Sequence, residues 1–248
     1  EAASGGTVVG VNSNLLSAPV RGATSELAAA CQRLARTPKE AGSQFAELRR
    51  FLAGLPPSQA SAAIRKFLDS KADAPSSLGF RIGADGSLAE APSLRVFLLD
   101  QLAQVDRAAA AEYARRILGQ LESPDEWAVA LRNVARGDPS ASGRAYLLEK
   151  TQQMLQHEPW QQSPAAGFLE AFDVAVWLGG TNLVPALGHL VRKKDNQAVA
   201  HAAFLALDRL TIQDATTTLG LLETHLELMA GREETRAEAG LASQREHG

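Results

Sequence analysis

Five histidines, one cysteine and a scatter of carboxylates are the residues of this chain that could do chemistry. A metal site built on a helix needs a second ligand at i+3 or i+4. None of His157, His189, His201, His225 and His247 has a His or Cys at that spacing. His189, His201 and His225 fall on three successive expected helices and could meet only through the fold. The first two lie off the apolar stripe, so solvated histidines are expected rather than a metal site. Cys31 sits in LAAACQRLA with no local signature of a nucleophile. An activated thiol needs a base and a group that orients the base, so Cys31 reads as a small hydrophobe. Glu170, Asp173, Asp208 and Asp214 read as solvated helix faces. No G-x-x-x-x-G-K-[ST], H-E-x-x-H or G-x-S-x-G string occurs. The Gly-bearing run Gly83-Ala84-Asp85-Gly86-Ser87 has no following helix placed to cradle a phosphate. No catalytic residue, metal ligand or cofactor site is assigned, and no cofactor is expected.

The tryptophans are more informative. Trp177 lies in FLEAFDVAVWLGG, apolar on nearly all sides, which predicts a buried central helix. Trp127 opens an amphipathic helix and is expected to pack between helices. Trp160 lies in HEPWQQSP, a polar stretch between helices. It is the one partner-binding candidate, an aromatic anchor on an exposed edge. Its alternative is a ring folded back as a lid over its own turn. The basic triplet Arg192-Lys193-Lys194 falls at an expected helix C-terminus, where positive charge offsets the dipole.

The elements that would carry these residues are helices. The chain has 248 residues, is 45% hydrophobic, 5% aromatic and 21% charged, and has a formal charge of -3. Ala and Leu make up roughly a third of it, far above an average domain. Ala–Leu periodicity with few β-branched residues predicts an all-α fold. One cysteine excludes an intrachain disulfide and a Cys-rich zinc site. The near-neutral charge gives no footprint for nucleic acid. No apolar run approaches the roughly 20 residues of a membrane span, so no membrane insertion is expected.

Residues 1–22 mix Gly, Ser, Asn and Pro without a period and read as a flexible linker. The chain starts at Glu1 rather than Met. A removed signal peptide or anchor is one reason for such a start, which gives a periplasmic or otherwise extracytoplasmic expectation, with a cytoplasmic piece of a longer chain as the alternative. Residues 23–230 read as a helical-repeat domain, with N-terminal helices over 23–70, a long loop or small hairpin over 71–92, and about four helix pairs over 93–230. Residues 231–248 read as a frayed tail. Within 71–92, Gly83 to Gly86 is turn chemistry between Phe80-Arg81-Ile82 and Ser87-Leu88. Leu78, Phe80, Ile82 and Leu88 would pin this segment. The expected pairs are 93–104 with 106–119, 124–136 with 142–156, 164–178 with 182–193, and 196–210 with 213–229. Ser123-Pro124-Asp125-Glu126 and Ser163-Pro164 signal starts, and Gly137 and Gly179-Gly180 signal ends.

Over Asn182–Leu210 the text reads NLVPALGHLVRKKDNQAVAHAAFLALDRL. This stretch resembles a HEAT repeat, with V-P-A-L-x-x-L-V, an Asp in the turn, then V-x-x-A-A-x-x-A-L-x-x-L. The resemblance implies a HEAT-like α-solenoid, an α-α superhelix of stacked hairpins. Ala200 departs from it, since many such repeats carry there an Arg that helps bind the turn Asp, here Asp195. The function it implies is a non-enzymatic binding or scaffolding module for a protein or peptide, expected to be monomeric. The alternatives are a helical-repeat enzyme or cofactor-handling protein with a groove site, and a structural subunit of an envelope assembly.

Overall fold

The structure, a computed structural model, describes residues 18–179 and 181–224. The expectations for residues 1–17 and for the tail 231–248 lie outside that range. The fold is all-α with one two-stranded ribbon. The helices are α1 (Ala18–Arg36), α2 (Ala41–Ala53), α3 (Pro57–Asp69), α4 (Leu94–Val105), α5 (Arg107–Ile117), α6 (Pro124–Gly137) and α7 (Ala141–Leu155). They continue as α8 (Glu158–Gln162), α9 (Ala166–Glu170), α10 (Phe172–Leu178), α11 (Val184–Val191), α12 (Gln197–Gln213) and α13 (Ala215–Thr224). The strands are β1 (Arg81–Ile82) and β2 (Leu88–Glu90), antiparallel, with a bulge between Arg81 and Ile82.

Local chemistry explains most starts. Ser123 accepts a hydrogen bond from the Glu126 amide, and Pro124 and two acids follow in the first turn of α6. Asn196 caps α12 through the Val199 amide, and Asp106 caps α5 through the Ala109 amide. Two expected signals act differently. Ser163 does not cap a helix. It ends α8, and α9 starts three residues later without a side-chain cap. Gly137 is not a left-handed cap, because only Gly86 and Gly179 among the described glycines have positive φ. It is present because α5 passes so close that a Cβ would lie 2.7 Å from that of Ala111 and collide with the Arg107 carbonyl. The interface of α5 and α6 is the most extensive between helices among the described residues. At the N-terminal side the helix begins at Ala18, inside the segment expected to be linker. Val20 is buried with Ala23 and Leu27 on one stripe, and that apolar contact recruits residues 18–22 into α1.

Many helices pack on their next or next-but-one neighbours, α1 on α3, α3 on α4, α4 on α5 and α6, α10 on α12, and α11 on α12 and α13, while α6 packs on α9, α7 on α10 and α9 on α12. The expected pairing of 164–178 with 182–193 is replaced by another. The stretch splits into α9 and α10 at Ala171, and α12 is the principal neighbour of α10. One continuous apolar core runs from Val20 to Leu210. A buried ion pair crosses it. Arg95 Nε lies 2.8 Å from Glu126 Oε1, Arg95 Nη2 lies 3.1 Å from Oε2, and Arg95 Nη1 donates to the Leu68 carbonyl at 2.7 Å. These three bonds join α3, α4 and α6.

The segment 71–92 is an ordered strap. Phe80 and Leu88 are buried, and Leu78 and Ile82 pack against the core. The Ser76 amide donates to Pro92 O, and Leu94 N donates to Ala74 O, which closes the base of the strap. At its tip Gly83 and Gly86 are joined by a 2.8 Å backbone bond, and Gly86 has φ of 78°. Only glycine takes that conformation without strain.

Candidate functional site

Trp160, expected at an exposed edge, is 7% exposed. The polar text around it forms the short helix α8, with Pro159 in its first turn. The ring packs edge-on to Trp127 at 5.4 Å and to Phe168 at 6.4 Å, and His157 lies 4.6 Å away. Trp160 therefore presents no anchor to solvent. It joins α6, α8 and α9 through an aromatic cluster.

Trp177, expected to be buried, is 47% exposed. On α10 the residues Phe172, Val174, Ala175, Val176 and Leu178 face the core, while Asp173 and Trp177 share the open face. They are four residues apart, one helical turn. The acid at that spacing was the signal that this face is wet. Only three large hydrophobic side chains among the described residues are exposed: Trp177, Leu205 and Ile212.

Two of those three line grooves. The first groove, about 350 Å³, lies between α6 and α10 and is lined by Arg132, Ala135, Arg136, Asp173, Val174 and Trp177. The second, about 330 Å³, lies between α9–α10 and α12, and includes Glu170, Asp173, His201, Leu205 and Arg209. Asp173 borders both, and Arg209 Nη1 donates to its Oδ1 at 2.6 Å.

The first groove is rich in guanidinium groups. Arg132 and Arg136 are one turn apart on α6, and both donate to the Gly86 carbonyl at the tip of the strap. Burial pushes the Arg132 guanidinium below its ordinary value, and the positive charge of Arg136 adds to that. Arg144 on α7 stands 5.2 Å over the Trp177 ring and donates to Leu178 O at 3.0 Å. Beneath the strap Arg49 donates to Leu88 O at 2.8 Å and lies 5.1 Å over Phe97. Asp100 is buried there; its carboxyl pKa is raised above the ordinary range by desolvation, against the pull of the Leu88 amide and of Arg136, Arg49 and Arg132. These arginines match no catalytic or binding motif in the sequence. The R-x-x-x-R spacing of Arg132 and Arg136 was a signal, because like charges one turn apart repel unless something holds them.

The other chemical candidates do not converge. His189 and His201 are exposed and border different grooves, and His225 lies outside the described side chains. Among the described residues no group of three or more His, Cys, Asp or Glu side chains is arranged to hold a metal ion. Cys31 is half-buried, and burial pushes its thiol pKa up, with Asp73 adding to the effect. That favours the less nucleophilic form. Among the described residues no helix is long and apolar enough to cross a membrane. The chain matches no protein-family model, no curated protein and no solved structure.

Proposed function

We propose that this chain is a non-enzymatic binding or scaffolding module that presents a HEAT-like helical-repeat surface to a protein or peptide partner. The observation that carries the reading is the placement of Trp177 and Leu205. Two of the large exposed apolar side chains line adjacent grooves on either side of the Asp173–Arg209 bridge. Exposed aromatic and aliphatic side chains in concave surfaces are where binding energy concentrates. Packing of α4 on α5 and α6, of α10 on α12, and of α11 on α12 and α13 supports stacked hairpins. Within the resembling stretch, α11 and α12 pack extensively and Val184, Leu187, Leu190, Val199, Ala203 and Leu207 are buried. The turn Asp195 lies 3.8 Å from Lys193, and Ala200 is buried, so the ladder of the family's repeats has no counterpart here. The enzymatic alternative is weaker because the carboxyls that burial raises, Asp100 and Asp125, line neither groove.

The test is selection from a random peptide library displayed on phage, with the full chain as target and the Trp177→Ala, Leu205→Ala double variant as counter-target. A peptide class that binds the wild type and not the variant is expected. Absence of any enriched class would overturn the reading.

A further inference from the structure

We propose that the groove between α6 and α10 docks an acidic peptide segment of the partner, with a carboxylate held by Arg132 and Arg136 and an adjacent apolar side chain packed on Trp177. This deepens the binding-module reading and rests on it. Charge complementarity selects the occupant. Arg132 and Arg136 are held side by side with only a neutral carbonyl, Gly86 O, as their shared acceptor. Among the described residues neither has a carboxylate within ion-pair distance. The nearby acids are engaged elsewhere. Asp173 is taken by Arg209, Asp85 accepts from the Ser87 amide and hydroxyl, and Asp100 is buried against the Leu88 amide. Arg144 adds a third guanidinium beside the Trp177 ring. A planar guanidinium pair matches a carboxylate, which can accept from both.

Size and polarity select a peptide segment as well. About 350 Å³ holds a few side chains rather than a folded surface. Across the Asp173–Arg209 bridge lies the second groove, where Leu205 and Ala202 are apolar and Glu170 would repel a further acid. An extended peptide with its acid at the α6 end and apolar residues after it fits both. A nucleic acid strand fits less well, because the chain carries a formal charge of -3 and Asp173 and Glu170 lie along the track.

The experiment is fluorescence anisotropy with the full chain and fluorescein-labelled peptides of about twelve residues. One carries Glu-Glu-Leu-Phe at its centre, a second carries Lys-Lys-Leu-Phe, and a labelled oligo-dT of similar length is the third probe. The acidic peptide should bind, weaken with added salt, and lose roughly ten- to a hundredfold in affinity in Arg132→Gln or Arg136→Gln. Arg50→Gln, an exposed arginine on α2, should leave binding unchanged. Because Arg132 and Arg136 also hold the strap, Trp177→Ala is a second variant that leaves those bonds in place. It should weaken the acidic peptide while the melting temperature stays within a few degrees. Equal binding of both peptides, or preference for oligo-dT, would overturn the assignment. So would library-selected binders that carry no acid and survive Arg132→Gln. That last result would leave the broader module reading standing, whereas a library without any binder would remove both.

Discussion

Arg209 on α12 donates to Asp173 on α10 at 2.6 Å, and the bridge stands on the rim shared by the two grooves. Both side chains are about half exposed, at 56% and 48%. Such a pair contributes about 0–1 kcal/mol to stability. Two positions earlier on the same helix, Leu207 is 5% exposed and sits in the core. Leu207→Ala is expected to lose about 2–5 kcal/mol through the cavity it leaves. Arg209→Ala should stay within about 1 kcal/mol. Chemical denaturation of the two variants checks this, and equal losses would contradict the facing of α12.

The buried Arg95–Glu126 pair should behave in the opposite way to the surface bridge. Its side chains are only 10% and 14% exposed. Removing one partner strands a charge, so Glu126→Ala is expected to lose about 3–5 kcal/mol. The double change Arg95→Met, Glu126→Leu should recover most of that loss, since apolar residues remove both charges together. A double variant no more stable than Glu126→Ala would show that the bond from Arg95 to the Leu68 carbonyl dominates.

Asp100 gives a pH dependence of defined sign. Burial holds its carboxyl pKa above the unfolded value, so the folded state binds that proton more tightly. Its contribution to stability is fully present below the ordinary Asp value of about 4 and is lost as pH rises through the raised value. Asp100→Asn removes this loss and keeps an acceptor for the Leu88 amide. The stability of wild type relative to Asp100→Asn should therefore fall between acid and neutral pH. Urea titrations of both proteins across that range read it directly, and a difference that rises with pH would refute it. The comparison is needed because Asp85, Asp138 and Asp214, lowered by hydrogen bonds from Ser87, Ser140 and Thr217, push the whole-protein profile the other way.

Gly137 and Gly42 are both helical, yet alanine should act on them oppositely. At Gly137 a Cβ would meet the backbone of Arg107 and the side chain of Ala111, neither of which can swing aside. Gly137→Ala is expected to lose about 1–3 kcal/mol. At Gly42 a Cβ meets nothing within 4 Å, so Gly42→Ala should gain up to about 1 kcal/mol from helix propensity. Thermal melts of the two variants should move in opposite directions.

The helical class was legible because it rests on local terms. Ala and Leu favour helix at every step, and Ser123 and Asn196 satisfy orphan amides within their own first turns. The strap was legible in outline, since Gly83 to Gly86 dictates a turn and Phe80 and Leu88 must be buried somewhere. The close approach at Gly137 was not, because a helical glycine and a capping glycine look alike in sequence.

The candidate site depended on what lies far away along the chain. Trp160 and Trp177 exchanged their expected roles because burial of a helix face is decided by the neighbour that covers it. Trp127 and Phe168 cover Trp160, whereas the face of Trp177 opens onto the first groove with Asp173. Arg132 and Arg136 could be read as a like-charged pair on one helix turn. That they converge on Gly86 O, 46 and 50 residues earlier, follows only when the strap folds back over α6. By itself, then, the sequence determined the helical class, the starts at Ser123 and Asn196 and the turn of the strap, since those energies act within a few residues. The tertiary structure alone decided which tryptophan meets solvent and where the guanidinium charge gathers, because both depend on contacts between segments that the chain keeps far apart.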